Sequence, residues 1–212
     1  MLRLWLGRHG ETEWNLEGRY QGQVDTALSA RGRRQGEALA RALDDAVLDA
    51  VIASPLSRAV ETAAGAARRH GLTVVTDPRW TEINHGEWEG MYSTDIARAD
   101  GARLEAWHQA PETVTMPGGE SLADVRARVV DALADVTVRY DGQTILVVAH
   151  DAVNKVLLAE ILGLTPAHFW QFKQDNGCLN LLEYGSGSWR IVTLNATSHL
   201  GYLCSGIDQR GL

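Results

Sequence analysis

Cysteine is scarce in this chain of 212 residues, which has only Cys178 and Cys204. A large chain with so few cysteines is not a disulfide scaffold, and these two are not spaced as a metal site. We therefore expect two reduced thiols in a cytoplasmic protein. The chain also lacks an N-terminal basic stretch followed by an apolar signal run, and no apolar run is long enough to span a membrane, so no membrane partner is expected.

Basic residues are also fewer than acidic ones. The chain has 20 Lys and Arg residues and 27 Asp and Glu residues, which gives a formal net charge of −7. Nucleic-acid binding needs a basic face, so we expect no nucleic-acid partner. An anionic substrate would need a local cluster of arginine and histidine that acts against the overall field. The chain has no P-loop, no dinucleotide-binding glycine pattern and no His-Glu-x-x-His zinc motif. We therefore expect no cofactor and no metal.

The chain does contain a regular alternation of strand and helix patterns. Apolar runs predict buried strands at Leu2–Leu6, Asp49–Ala53, Thr73–Thr76 and Thr144–Ala149. Helical spacing predicts helices at Ser29–Leu43, Pro55–His70, Ser121–Tyr140 and Ala152–Leu162. Ser29 and Ser121 are predicted N-caps, and Pro55 is predicted at the first helical position. A predicted hairpin, Leu179–Tyr184 with Trp189–Leu194, completes the pattern.

This alternation predicts an α/β fold of three layers. A mostly parallel central sheet carries helices on both faces, and the hairpin adds an antiparallel edge strand. No linker or repeat interrupts the pattern, so we expect one domain over residues 1–212. Residues 88–120 are less regular, and we expect a substrate-covering insertion of short helices and loops there.

Two histidines end the two longest apolar strands. His9 follows Arg8 at the end of the first strand, and His150 follows Ala149 at the end of the other. Ligands of open α/β sheets bind just beyond the carboxyl ends of the strands. If these strands are neighbours, the two imidazoles share one crevice. A histidine at a strand end is more often structural, so the pair carries more weight than either residue alone.

Two further charged residues can join this crevice. Arg58 lies in the first turn of a predicted helix, where a cation is unfavourable unless an anion binds beside it. Glu82 begins a loop with two glycines, in which we interpret Glu87 and Glu89 as solvated. Two fixed cations, two imidazoles and a carboxylate suit phosphoryl transfer, because they supply a nucleophile, a proton donor and charge stabilisation without a metal.

The ordered motifs of the chain resemble those of the histidine phosphatase superfamily, also called phosphoglycerate-mutase-like. Any one motif can arise by chance, whereas the ordered set is specific and runs over nearly the whole length. The resembling segments are Arg8–Asn15, Gly18–Gly22, Ser54–Arg58, Glu82–Gly90, Gly118–Ser121 and Val147–His150. The resemblance implies a metal-independent phosphomonoesterase that acts through a phosphohistidine.

The resemblance also implies a role for each catalytic residue. His9 is the nucleophile that becomes phosphorylated, and Arg8, Arg58 and His150 bind the phosphoryl oxygens. Glu82 protonates the leaving oxygen and then deprotonates the attacking water. A carboxyl group needs a raised pKa to act as an acid near pH 7, so we expect Glu82 to be partly desolvated.

Further residues follow from the same resemblance. Asn15 would add a phosphate contact, and Gln21 and Gly22 would line the substrate side. The superfamily commonly has glycine after the last histidine, whereas this chain has Asp151. A negative charge opposes anion binding there, and we interpret Asp151 as the cap of the helix beginning at Ala152.

The substrate is expected to be a small phosphorylated metabolite. The chain resembles the shorter phosphatase branch, and His85 with several C-terminal segments resembles metal-independent phosphoserine phosphatases, which favours a phosphoserine-like substrate. We expect a protonated His85 to pair with a substrate carboxylate and His199–Leu203 to fold over the pocket mouth. The alternatives are that His85 packs in its loop and that the tail serves dimerisation or frays.

Other functions stay open at this level. An α-ribazole phosphatase, a broad-specificity phosphatase and a phosphoglycerate mutase share these motifs. A non-catalytic protein that binds a phosphorylated ligand would usually lose its nucleophile or its acid, and both residues are present. The seven tryptophans leave a homodimer open, because they can serve a core, a pocket or an interface.

Overall fold

A six-stranded sheet forms the centre of the protein, whose computed structural model describes residues 1–204. The strands are β1 (Leu2–Arg8), β2 (Ala50–Ala53), β3 (Val74–Thr76), β4 (Thr144–Ala149), β5 (Leu179–Gly185) and β6 (Ser188–Ala196). Their order is β3-β2-β4-β1-β5-β6; the first four are parallel, and β5 runs antiparallel to both of its neighbours. The predicted mostly parallel sheet with an antiparallel edge is confirmed.

Helices cover both faces of this sheet. They are α1 (Glu13–Glu17), α2 (Ala30–Ala42), α3 (Ser57–Arg69), α4 (Ser93–Gln109), α5 (Leu122–Arg139) and α6 (Asp151–Ile161). Strand β4 shows why its residues are apolar without interruption. Ile145 and Val147 join the core cluster that includes α5 and α6, whereas Leu146 and Val148 join the cluster of α2 and α3. Successive side chains of a strand point to opposite faces, so a doubly covered strand is apolar at every position.

The N-termini of the helices agree with the sequence-based predictions for two helices and differ for a third. Ser29 caps α2 by accepting a hydrogen bond from the Gly32 amide, and Ser121 forms a capping box with Asp124, as predicted. Helix α3, however, begins at Ser57, so the prediction that Pro55 occupies its first position is wrong. The α3 amide of Ser57 is capped from a distant loop by Asp25 Oδ1, at 2.8 Å, a partner that no local pattern indicates.

The irregular region after Trp88 contains α4, which changes direction at Asp100 because that residue has non-helical backbone angles. Its buried side chains, Ile96, Leu104 and Trp107, join the larger core cluster. No helix within residues 1–204 is both long enough and apolar enough to cross a membrane.

The C-terminal segment packs against α2. Leu200 and Leu203 are buried beside Ala38, while Tyr202 is exposed. His199 Nε2 donates to the Gly177 carbonyl at 2.9 Å, and Gln35 donates to the Leu203 carbonyl at 2.9 Å. These contacts join residues 198–204 to α2 and to the loop before β5. Residues 205–212 of the single predicted domain lie outside the described residues.

Candidate active site

The carboxyl ends of β1 and β4 bring His9 and His150 together. The strands are parallel neighbours with Arg8 paired to Ala149, and the His9 amide donates to the Ala149 carbonyl at 3.0 Å. The two imidazole centroids are 5.1 Å apart. The two rings therefore do share one crevice at the end of the sheet.

His9 is held in the form that a nucleophile needs. Its Nδ1 lies 2.7 Å from the Gly10 carbonyl, which can only accept a hydrogen bond, so Nδ1 carries the proton. Burial lowers the pKa of His9 well below its usual value, and the nearby Arg58 and Arg8 lower it further. The imidazole is therefore neutral near pH 7, with its lone pair on Nε2.

A close backbone approach fixes the loop that follows His9. A Cβ atom added to Gly10 would lie 2.4 Å from the Gly32 carbonyl oxygen, and one added to Gly32 would lie 1.9 Å from that of Glu11. Thr62 Oγ1 accepts from the Gly10 amide at 3.0 Å. Helix α2 can thus press directly on this loop only because both glycines lack a side chain.

The guanidinium groups of Arg8 and Arg58 donate hydrogen bonds to backbone carbonyls. Arg8 Nη1 donates to the Gln174 carbonyl at 2.5 Å, and Arg58 donates to the carbonyls of Val24 and Gly22 at 2.9 and 2.7 Å. Burial lowers the pKa of Arg58 to about 10, so its guanidinium is still charged near pH 7. Carbonyl partners orient each cation without cancelling its charge, although the Asp151 carboxylate also lies 3.5 Å from Arg8 Nη1.

His150 stands at the N-cap position of α6 and has no exposed surface. Neither of its ring nitrogens has a hydrogen-bond partner. Burial lowers the pKa of His150 well below its usual value, and the charges of Arg58 and Arg8 lower it further. The ring is neutral and offers one donor and one acceptor to a ligand.

Glu82 lies at the start of α6, although it belongs to a loop far away in the sequence. Its Oε1 accepts from the Ile83 amide at 2.9 Å, and its Oε2 accepts from the Ala152 amide at 3.3 Å. Burial raises the pKa of Glu82, and the Asp151 carboxylate adds to this effect. The expected desolvation of Glu82 is therefore present.

The residues expected to line the substrate side form one polar network. Asn15 Oδ1 accepts from the Thr12 amide at 3.0 Å, which leaves Asn15 Nδ2 buried without a partner. Gln21 Oε1 accepts from the hydroxyls of Thr12 and Thr26 at 2.8 and 2.7 Å. Gly22 has a φ of 57°, and its backbone carbonyl accepts a hydrogen bond from Arg58, so Gly22 contributes to the site through its backbone.

His85 is placed differently from its expected role. It is buried, with its ring edge-on to those of Tyr20 and Trp107 at centroid distances of 5.1 and 6.1 Å. Burial lowers the pKa of His85 to about 3. The imidazole is therefore neutral near pH 7 in the free protein, and the pairing of a protonated His85 with a substrate carboxylate stays a prediction.

Two carboxylates also differ from their expected roles. Glu89 is not simply solvated, because its Oε1 accepts from the amides of Gln23 and His85 at 2.8 and 3.2 Å and so ties the two loops together. Asp151 is not the cap of α6, because His150 holds that position and Asp151 is the first helical residue.

Asp151 instead lies in a buried ion-pair chain that sequence reasoning missed. Its Oδ1 is 3.5 Å from Arg8 Nη1, and its Oδ2 is 2.7 Å from Lys155 Nζ. The signal was available, since an acid and a lysine four residues apart lie on one face of a mostly apolar helix.

Several buried nitrogens within residues 1–204 have no hydrogen-bond partner although they surround His9. They are Arg8 Nε, Asn15 Nδ2, Arg58 Nε and both ring nitrogens of His150. Buried polar atoms are normally paired, so a cluster of unpaired donors indicates a place for a ligand rich in acceptor oxygens. The same part of the chain holds no group of three or more histidine, cysteine or acidic side chains that could hold a metal ion.

Comparison with known proteins agrees with this geometry. The model of the histidine phosphatase superfamily (branch 1) matches residues 4–197. Phosphoserine phosphatase 1 of Hydrogenobacter thermophilus is 38% identical over 201 residues, covering 95% of each chain. The adenosylcobalamin/alpha-ribazole phosphatase of Escherichia coli is 32% identical over 195 residues, covering 92% of this chain and 96% of the other. The structure of Bacillus stearothermophilus YhfR superposes with a TM-score of 0.91 at 31% identity, covering 94% of this chain and all of the other.

The chain belongs to the histidine phosphatase superfamily, branch 1. It is a phosphatase of the histidine phosphatase type.

Proposed function

We propose that this phosphatase hydrolyses small phosphomonoesters through a phosphohistidine on His9 and without a metal ion. The observation that carries the proposal is the ring of unpaired buried donors from Arg8, Arg58, Asn15 and His150 around a neutral His9. A phosphoryl group supplies three oxygens that would satisfy such donors. Two buried cations provide the charge stabilisation on which phosphoryl transfer depends.

In the first step, the lone pair of His9 Nε2 attacks phosphorus and the bond from phosphorus to the ester oxygen breaks. The proton of Glu82 moves to that oxygen, so the leaving group departs as an alcohol. Arg8, Arg58 and His150 hold the three phosphoryl oxygens throughout. The proton stays on His9 Nδ1 and is donated in a hydrogen bond to the Gly10 carbonyl, which stabilises the positive charge that develops on the ring.

In the second step, the Glu82 carboxylate accepts a proton from water as its oxygen attacks the phosphohistidine. The bond from phosphorus to Nε2 breaks, inorganic phosphate leaves, and Glu82 is again protonated. One residue can serve both steps because the first step leaves it ionised and the second returns its proton, and its raised pKa favours the protonated form that starts the cycle.

The favoured substrate is phosphoserine or a similar small phosphomonoester, on the basis of the relative named phosphoserine phosphatase 1. A specific observation supports a second candidate, an α-ribazole-type or broad-specificity phosphatase. The loop that carries Glu82 also carries His85, whose ring packs against those of Tyr20 and Trp107, and the neutral His85 supplies no cation for a carboxylate. We propose that residues 88–120 cover the leaving-group side and select the leaving group.

An initial-rate screen would decide between these substrates. It should compare phosphoserine, α-ribazole phosphate, phosphoglycerates, sugar phosphates and an aryl phosphate, each with and without EDTA. We expect full activity in EDTA and a preference of at least about 10-fold for one substrate, since pocket contacts differ by a few kcal/mol. Complete inactivation by EDTA that Mg²⁺ or Zn²⁺ restores would contradict the metal-independent mechanism, and transfer between phosphoglycerate positions would indicate a mutase.

A further inference from the structure

A chain of buried charges lies beside the phosphoryl-binding residues. Asp151 and Lys155 are 5% and 4% exposed. The Asp151 carboxylate reaches Arg8 on one side and Lys155 on the other, at 3.5 and 2.7 Å. Lys155 Nζ also lies 4.8 and 4.7 Å from the ring centroids of Phe169 and Trp170, which surround it with aromatic faces. The two-step mechanism above assigns no task to this pair.

Stability alone is a weak reason for such a pair. Removing two charges from water costs about as much as their attraction returns, so a buried ion pair adds little net stability over an apolar substitute. Its position is more informative, because it places a fixed negative charge in the first turn of α6 beside Glu82.

Glu82 otherwise lies in surroundings that favour its ionised form. The Ala152 amide at the start of α6 donates to its Oε2, and a helix N-terminus stabilises a carboxylate. Arg8 from the end of β1 and Arg58 from α3 act in the same direction. Arg128 from α5 adds a further cation, which donates to the Glu82 backbone carbonyl at 3.1 Å. An ionised Glu82 could not protonate a leaving group.

We propose that Asp151 is a positioning residue that keeps the proton on Glu82 and orients the Arg8 guanidinium, while Lys155 balances its charge. This inference rests on the proposed function, because it gives Asp151 a task only if Glu82 is the proton donor. After burial, the Asp151 carboxylate is the largest cause that raises the pKa of Glu82, and it opposes the lowering by Arg58 and Arg8.

The test compares pH profiles of kcat/KM for Asp151→Asn, Lys155→Met and a control, Glu160→Gln. The control removes a carboxylate at the far end of the same helix, where Glu160 pairs with Arg126 on the surface. Phenyl phosphate and p-nitrophenyl phosphate serve as substrates, because they share a shape but differ in their need for leaving-group protonation. The high-pH limb of each profile reports the loss of the proton donor in the free enzyme.

With phenyl phosphate, we expect Asp151→Asn to move the high-pH limb down by about one pH unit, since a like charge no longer opposes ionisation of Glu82. Lys155→Met should move it up, because the Asp151 charge is then unbalanced. Glu160→Gln should leave it in place. A merely structural role would lower rates without shifts of opposite sign.

The inference is overturned if Asp151→Asn keeps the profile of the control, or if both variants move the limb in the same direction. If Asp151→Asn does not fold, Lys155→Met alone decides, and a limb that stays or moves down contradicts the inference. The Glu82→Gln variant distinguishes a failure of this inference from a failure of the proposed function. If it impairs phenyl phosphate much more than p-nitrophenyl phosphate while Asp151→Asn shifts nothing, only the inference fails. If it impairs both substrates equally, the proposed proton donor fails as well, and the inference with it.

Discussion

The two halves of the site are built in different ways. Around His9, regular elements meet: the ends of β1 and β4 and the starts of α3 and α6 supply charged and polar groups with unpaired nitrogens. On the Glu82 side, a loop and the region of α4 supply aromatic rings and a neutral His85. From this contrast we propose that the sheet fixes the phosphoryl chemistry, whereas the loops fix the choice of leaving group.

The largest expected effect is at the centre of the first half. His9→Ala should lower kcat by on the order of 10⁵-fold or more with every substrate, because it removes the nucleophile. Circular dichroism and thermal unfolding should show an intact fold. Near-wild-type rates in a folded variant would contradict the proposed chemistry.

The next effect tests the charge in that half. Arg58→Ala should lose on the order of 10³-fold in kcat, by analogy with arginine contributions to phosphoryl transfer. Arg68→Ala is the matched control, because Arg68 lies on the same helix but pairs with Glu37 at the surface. If both variants lost the same small factor, Arg58 would not act on the phosphoryl group.

The boundary between the halves lies at Glu82. Glu82→Gln should lower kcat/KM for phenyl phosphate by about 10²-fold or more, as expected for loss of a general acid. The loss for p-nitrophenyl phosphate should be much smaller, because its leaving group needs no proton. Steady-state rates on both substrates measure this directly, and equal losses would make Glu82 a structural residue.

The smallest effect belongs to the second half and concerns stability. The folded protein holds His85 neutral with a pKa of about 3, against 6.5 for an unperturbed histidine. As the pH drops below about 7, His85 becomes protonated in the unfolded chain but stays neutral in the folded chain. The free energy of unfolding therefore falls with the pH.

His85→Gln should remove that contribution and flatten the decline between pH 7 and pH 5 by up to about 2 kcal/mol. Urea unfolding at both pH values, with His70→Gln at a half-buried histidine as the control, would measure it. An unchanged slope would mean that His85 is protonated in the folded state.

Much of the first half could be predicted because it depends on local patterns. The apolar strands ending at Arg8 and Ala149, and the cap at Ser29, are visible in short windows of sequence. Whether β1 and β4 are neighbours was left open by the sequence, and the structure shows that they pair in parallel.

The second half depends on contacts between distant segments, which no local pattern carries. The Asp25 cap on α3, the Glu89 link between two loops and the burial of His85 beside Trp107 all arise from tertiary packing. Tertiary packing also explains why the predicted roles of Pro55 and Asp151 were wrong. The free energy of a local helix preference is small compared with that of buried contacts.

The most direct test of the account is to trap the phosphorylated enzyme. Rapid mixing with p-nitrophenyl phosphate, alkaline denaturation within one turnover and intact-mass spectrometry should reveal one added phosphoryl group, and peptide mapping should place it on His9 Nε2. The account predicts this adduct in the wild type and in Glu82→Gln, and its absence in His9→Ala. Turnover of the wild type with no phosphoryl adduct, or with the adduct on another residue, would contradict the account.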